Sequence, residues 1–163
     1  RFAGKPAVRA TARLLAPLQA AAHPAVAFVT FTAFLWLVHF SGVYELALEN
    51  PPIHLAEHLA FAAAGLLFWL PILSPAPLKP LNFPARLLYC VVLLPQSALV
   101  AMALGAAQQP MYAHYAALLG GAALADQRNG AAVMWIGGGL VGFCAFLGTL
   151  AAWAKRETRM ESA

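Results

Sequence analysis

The residues best equipped for chemistry crowd into one short stretch, where His54, Glu57 and His58 follow a Pro51-Pro52 pair. Four positions apart, His54 and His58 share one face of a helix, so both imidazoles reach a single ion. Glu57, three positions after His54, is placed to complete such a site, to orient a histidine, or to relay a proton. His39 precedes this group, and Met111, His114, Asp126 and Met134 follow it. Imidazole with carboxylate suits zinc or copper, and thioether sulfur adds a preference for reduced copper. The competing reading is that histidines at membrane boundaries hydrogen-bond headgroups or backbone carbonyls and hold no ion. Met111, Tyr112, His114, Tyr115 and Leu118 likewise fit a short helix resting on a bilayer with an aromatic belt.

A bilayer enters because of charge. Of 163 residues, 62% are hydrophobic and 10% charged, against roughly 25% charged in soluble domains. No charged residue occurs from Leu14 to Tyr44, Leu59 to Leu78, Leu87 to Ala125, or Asn129 to Ala154. A helix crosses the hydrocarbon core with about 20 apolar residues, and these gaps predict four spans, Pro24 to Phe40, Ile53 to Leu73, Pro84 to Ala106, and Gly130 to Trp153. The fold class is therefore all-α, a polytopic membrane helix bundle. Its organisation reads as an amphipathic or interfacial segment over 1–22, with Arg9 and Arg13 opposite Val8, Leu14, Leu15 and Leu18, then a transmembrane domain over 23–154 and a tail over 155–163. Pro95 should kink the third span, and the Gly138–Gly142 spacing predicts close packing of the fourth against another helix. Cys90 and Cys144, far apart inside apolar runs, read as buried free thiols.

Orientation follows from the basic residues. Arg1, Lys5, Arg9, Arg13, Lys79, Arg86, Lys155, Arg156 and Arg159 flank one side of the spans, whereas only Arg128 lies on the other. Because lysine and arginine concentrate in cytoplasmic flanks, both ends of this chain should be cytoplasmic. His39, His54, His58 and His114 then gather at the outer face, and His23 becomes a cytoplasmic interfacial cap. Without a basic cluster interleaved with aromatics, the net charge of +4 points to topology and not to nucleic acid. Phosphate loop, nucleophile elbow, HExxH and CxxCH patterns do not occur, so the expectation is a protein that is not an enzyme.

Several motifs in register carry a resemblance. Trp36-Leu37-Val38-His39, Tyr44, His54-Leu55-Ala56-Glu57-His58-Leu59 and Gly65 to Pro71 are followed in order by Arg86-Leu87-Leu88-Tyr89, Pro95, Tyr112 to Tyr115, Ala125-Asp126-Gln127, Gly130 and Met134-Trp135. Together, over His23 to Trp153, they resemble the CtaG family of membrane proteins associated with cytochrome c oxidase assembly. The resemblance implies a multi-pass bacterial plasma-membrane protein that delivers or inserts copper at the outer face, with haem-copper oxidase subunits as partners. His39, His54, His58 and Asp126 are the motif positions it carries over. It also implies that further membrane helices precede this region in the whole protein. Two positions depart from the pattern, since Phe40-Ser41-Gly42 and Ile136 lack prolines expected there.

Copper handling through His39, His54 and His58, with Glu57 behind them and His114, Met111 or Met134 as optional ligands, is the leading expectation. A b-type haem carrier with two axial histidines from different helices, and a structural accessory subunit of a respiratory or photosynthetic membrane complex, are the alternatives.

Overall fold

The computed structural model describes residues 16–76 and 78–162. Most of the segment read as amphipathic therefore lies outside the described residues, with 16–21 helical. After it come α1 (Pro24–Phe40), α2 (Val43–Glu49), α3 (Pro51–Leu73), α4 (Phe83–Ala106), α5 (Ala113–Leu119), a single 3₁₀ turn, and α6 (Ala123–Glu161). No strand occurs among the described residues. Three helices are long and apolar enough to cross a membrane, and α1 with α2 makes a fourth candidate, bent by 64°. Such a bundle is what lipid demands, since helices satisfy their backbone groups internally.

Local chemistry sets the helix ends. Asn50 and Asn82 each accept a backbone N–H with the side-chain oxygen, from Ile53 at 3.3 Å and Ala85 at 2.9 Å. These caps, with proline in the first turn, start α3 and α4 slightly earlier than hydropathy alone places them. Gly42, with φ 78°, adopts the left-handed conformation that a side chain would strain, and there α1 turns into α2. Seventeen residues of α1 rise about 26 Å, slightly short of the ~30 Å hydrocarbon core.

Apolar burial drives little association between helices already in lipid, so close packing must. The broadest interface joins α4 to α6. A Cβ placed on Gly138 would stand 2.2 Å from Ser97 Oγ, and one on Gly142 would stand 2.8 Å from Leu94 Cδ2. The two glycines therefore let α6 lie directly against α4, as their spacing predicts. On the Leu104 side of this seam Leu35, Val100, Ala101, Leu104 and Ala131 form one buried cluster, and on the other side Phe68, Ile72, Tyr89 and Cys90 form another. Tyr89 donates its buried hydroxyl to the Phe68 carbonyl at 3.1 Å, tying α4 to α3. Pro71 and Pro95 both sit inside continuous helices.

Two expectations change. The last helix begins at Ala123 instead of Gly130 and runs through the segment read as a tail, 39 residues in all. Asn129-Gly130 does not break it, because Gln127 and Arg128 are held by carbonyls at the end of α4, those of Leu104 and Ala107. Cys90 is buried as expected, but Cys144 is exposed on α6.

Candidate functional site at the histidine end of the bundle

His39 occupies the last turn of α1, where a helix leaves carbonyls without intrahelical donors. Its Nδ1 lies 2.8 Å from the Leu35 carbonyl. A carbonyl only accepts, so Nδ1 carries a proton, and in the neutral ring Nε2 is the nitrogen that keeps the lone pair. The ring stacks on Tyr44 with centroids 6.0 Å apart and meets Phe61 edge-on at 6.3 Å. Tyr112 donates its hydroxyl to the His39 carbonyl at 3.4 Å. A residue that ends one helix is thereby fixed by side chains from three other segments.

Those segments are pinned to one another by side chain–backbone hydrogen bonds. Glu45 of α2 accepts the His114 N–H at 2.5 Å, capping the first turn of α5 from outside with a negative charge where the helix dipole favours one. Gln127 of α6 accepts the Met111 N–H at 2.7 Å and donates to the Leu104 carbonyl at 2.8 Å. Tyr44 and Tyr112 pack with centroids 4.6 Å apart. The Tyr112 phenol is pushed up to about 12, first by burial and then by the charges of Glu45 and Glu57. It therefore stays protonated at neutral pH as a hydrogen-bond donor.

Together these groups enclose a cavity of about 310 Å³ lined by His39, three tyrosines (Tyr44, Tyr112 and Tyr115), Asp126, Gln127 and Met134, among others. Glu57, 7% exposed on the inner face of α3, lies near enough for its charge to act on Tyr112. A buried carboxylate is costly in lipid, and the tyrosine cluster supplies the polar surroundings that a span of α3 alone lacks. Tyr112 and Tyr115 thus turn inward, where a surface helix with an aromatic belt was the expectation. The short helix itself is present, with Met111 and Leu118 exposed beside those inward tyrosines.

His54 and His58 lie on a neighbouring, outward face of α3, roughly 60° and 100° around the helix from Glu57. Both are exposed, their rings stacked at 4.4 Å and 14°, and they border a separate groove with Ala47, Leu48, Pro51 and Leu55. His58 Nδ1 lies 3.1 Å from the His54 carbonyl, so this ring also holds its proton on Nδ1 and presents Nε2. In parallel stacked rings the lone pairs do not converge, and gripping one ion requires His54 to turn about its side-chain bonds. His114 packs edge-on against Tyr115 at 5.8 Å, and Asp126 is exposed at the cavity mouth.

The i, i+4 pairing of His54 with His58 is therefore formed, while His39 and Glu57 are turned away from it into the bundle. Among the described residues, no three His, Cys, Asp or Glu side chains form a metal-holding group. Nor do His39 and the His54–His58 pair line a common cavity, as two axial haem ligands from different helices would. Tyr44 and Gln127, which the sequence offers only as motif positions, are the residues whose contacts organise the cavity. A hydroxyl and an amide just outside apolar runs were the available signal.

The family model for the cytochrome c oxidase caa3 assembly factor, Caa3_CtaG, matches residues 2–156. The chain belongs to this family. The match covers every element of the histidine end, the cavity and the exposed imidazole pair alike. No curated protein and no solved structure shows a significant match. This member of the Caa3_CtaG family is a membrane helix bundle in which His39, His54, His58 and His114 gather at one end.

Proposed function

We propose that this chain serves cytochrome c oxidase assembly by handling copper as cargo at the extracytoplasmic face of the plasma membrane. Its basic flanks set the orientation, with Lys79, Arg86, Lys155 and Arg156 cytoplasmic and the histidine end outside. The observation that carries the reading is the exposed His54–His58 pair, one ring already fixed with Nε2 outward. Two imidazoles give a coordination shell open enough to receive copper and to surrender it to an oxidase subunit. A closed cage of ligands would retain the ion. His39 Nε2 and Met134 line the neighbouring cavity with the donor types that reduced copper accepts. The chain contributes ligands and position, and it catalyses no covalent step.

The test is competition for Cu(I) between the purified full chain and a chromogenic chelator. His54→Ala/His58→Ala should weaken retention by about tenfold or more, taking the scale of lost metal-site contacts, and should lower copper content in the assembled oxidase. His39→Ala separates the inner cavity from the outer pair. Unchanged competition by the double variant, with unimpaired oxidase, overturns the proposal.

A further inference from the structure

We propose that the opposite, basic end of the bundle holds an anionic phospholipid in a built site between α1 and α4. Two adjoining cavities make the case. One, of about 300 Å³, is bordered by Gln19, His23 and Lys79 beside the first turn of α1. The other, of about 440 Å³, runs down the outside of the bundle between Phe28 and Val29 of α1 and Leu88 and Val92 of α4. Pro24 and Leu81 line both, so a chamber that holds the Gln19, His23 and Lys79 side chains leads into a wholly apolar groove. From Ala85 to Val92 the groove follows α4 for about 10 Å.

That sequence of surfaces has the polarity of a phospholipid. A phosphate fits beside the Lys79 ammonium, His23 and the Gln19 amide, and an acyl chain fits the groove. Among the described residues no acidic side chain borders either cavity, and Lys79 and His23 face the last turn of α3 at Leu70 and Pro71 across the first of them. His23 stands at the cap position of α1 but makes no side-chain capping bond, so its imidazole is not committed to the helix. The first turn of α1 opens here at Pro24, adding the partial positive charge of a helix N-terminus. A free phosphate would use the chamber alone, whereas a lipid uses the chamber and the groove.

The experiment measures lipid carried by the full chain. The protein is reconstituted in mixed phosphatidylglycerol and phosphatidylcholine, extracted in mild detergent, and examined by native mass spectrometry. Phosphatidylglycerol should be retained preferentially. Lys79→Gln should lower its retention about fivefold, the effect of one interfacial charge, and Ala85→Leu, which fills the groove, should also lower it. Lys155→Gln removes a charge at the same end outside both cavities and should leave retention unchanged. Equal retention of the two lipids, or equal losses in Lys79→Gln and Lys155→Gln, overturns the proposal. Displacement by inorganic phosphate at unchanged affinity in Ala85→Leu overturns it too, in favour of a free-anion site.

Discussion

Alanine at Gly138 should weaken the bundle while alanine at the adjacent Gly139 should strengthen it. A Cβ on Gly138 would lie 2.2 Å from Ser97 Oγ and 2.7 Å from Ser97 Cβ. The hydroxyl escapes by rotating, but Ser97 Cβ is fixed to the α4 backbone. The helices must part by about 1 Å to regain the ~3.5–4.0 Å optimum between carbons. Overpacking of that kind costs about 1–3 kcal/mol, and replacing glycine inside a helix returns about 0.5–1 kcal/mol. The net is a loss of roughly 1 kcal/mol. At Gly139 a Cβ meets nothing within 4 Å, so only the gain of about 0.5–1 kcal/mol applies. Unfolding in mixed micelles of rising dodecyl sulfate content, followed by circular dichroism, resolves the opposite signs. Ser97→Gly removes both offending atoms and should recover the stability lost in Gly138→Ala. Equal stability of the two alanine variants, or no recovery with Ser97→Gly, would refute the close approach of α4 and α6.

Two further outcomes concern the network around the cavity. Gln127→Leu leaves the Met111 N–H and the Leu104 carbonyl without their present partners, a local loss of about 1 kcal/mol; hydrogen exchange at Met111 should quicken while exchange in the middle of α4 is unchanged. Glu45→Ala strips the external cap from α5 and removes a charge that opposes ionisation of Tyr112. The phenol should therefore titrate below about 12 yet above its ordinary 10.0, because burial, the largest cause, persists. Ultraviolet titration that shows a rise or no change would contradict the placement of Glu45 beside Tyr112.

The parts of this fold legible in the sequence are those set by periodicity over a few turns. Charge-free gaps mark the spans, the i, i+4 interval puts His54 beside His58, and the interval from Gly138 to Gly142 marks a seam. The identity of the opposing surface, Ser97 and Leu94, was not legible, since it depends on the register between two helices far apart in sequence. The start of the last helix, expected at Gly130, is misplaced for a related reason. A weak propensity against helix is outweighed by Gln127 and Arg128 bonding the end of α4, contacts that only the tertiary arrangement creates. The candidate site divides the same way. That Glu57 points inward while His58, one residue on, points outward follows from helical geometry once the inner face is known, but which face is inner depends on Tyr44 and Tyr112. Those tyrosines come from two connections that hydropathy treats as mere spacers.

The length of α6 has a mechanical meaning. Its 39 residues rise about 58 Å, nearly twice the ~30 Å hydrocarbon core. Gln127 and Asp126 stand near one end, and near the other Trp153 stacks on Phe83 at 6.2 Å. The seam at Gly138 and Gly142 lies between them, where α6 rests most closely on α4. A tilt of α6 about that seam by about 5° would carry each end sideways by roughly 2–3 Å over such a rise. Displacements of that size would open or close the tyrosine-lined cavity on one side of the membrane as the Phe83–Trp153 stack shifts on the other.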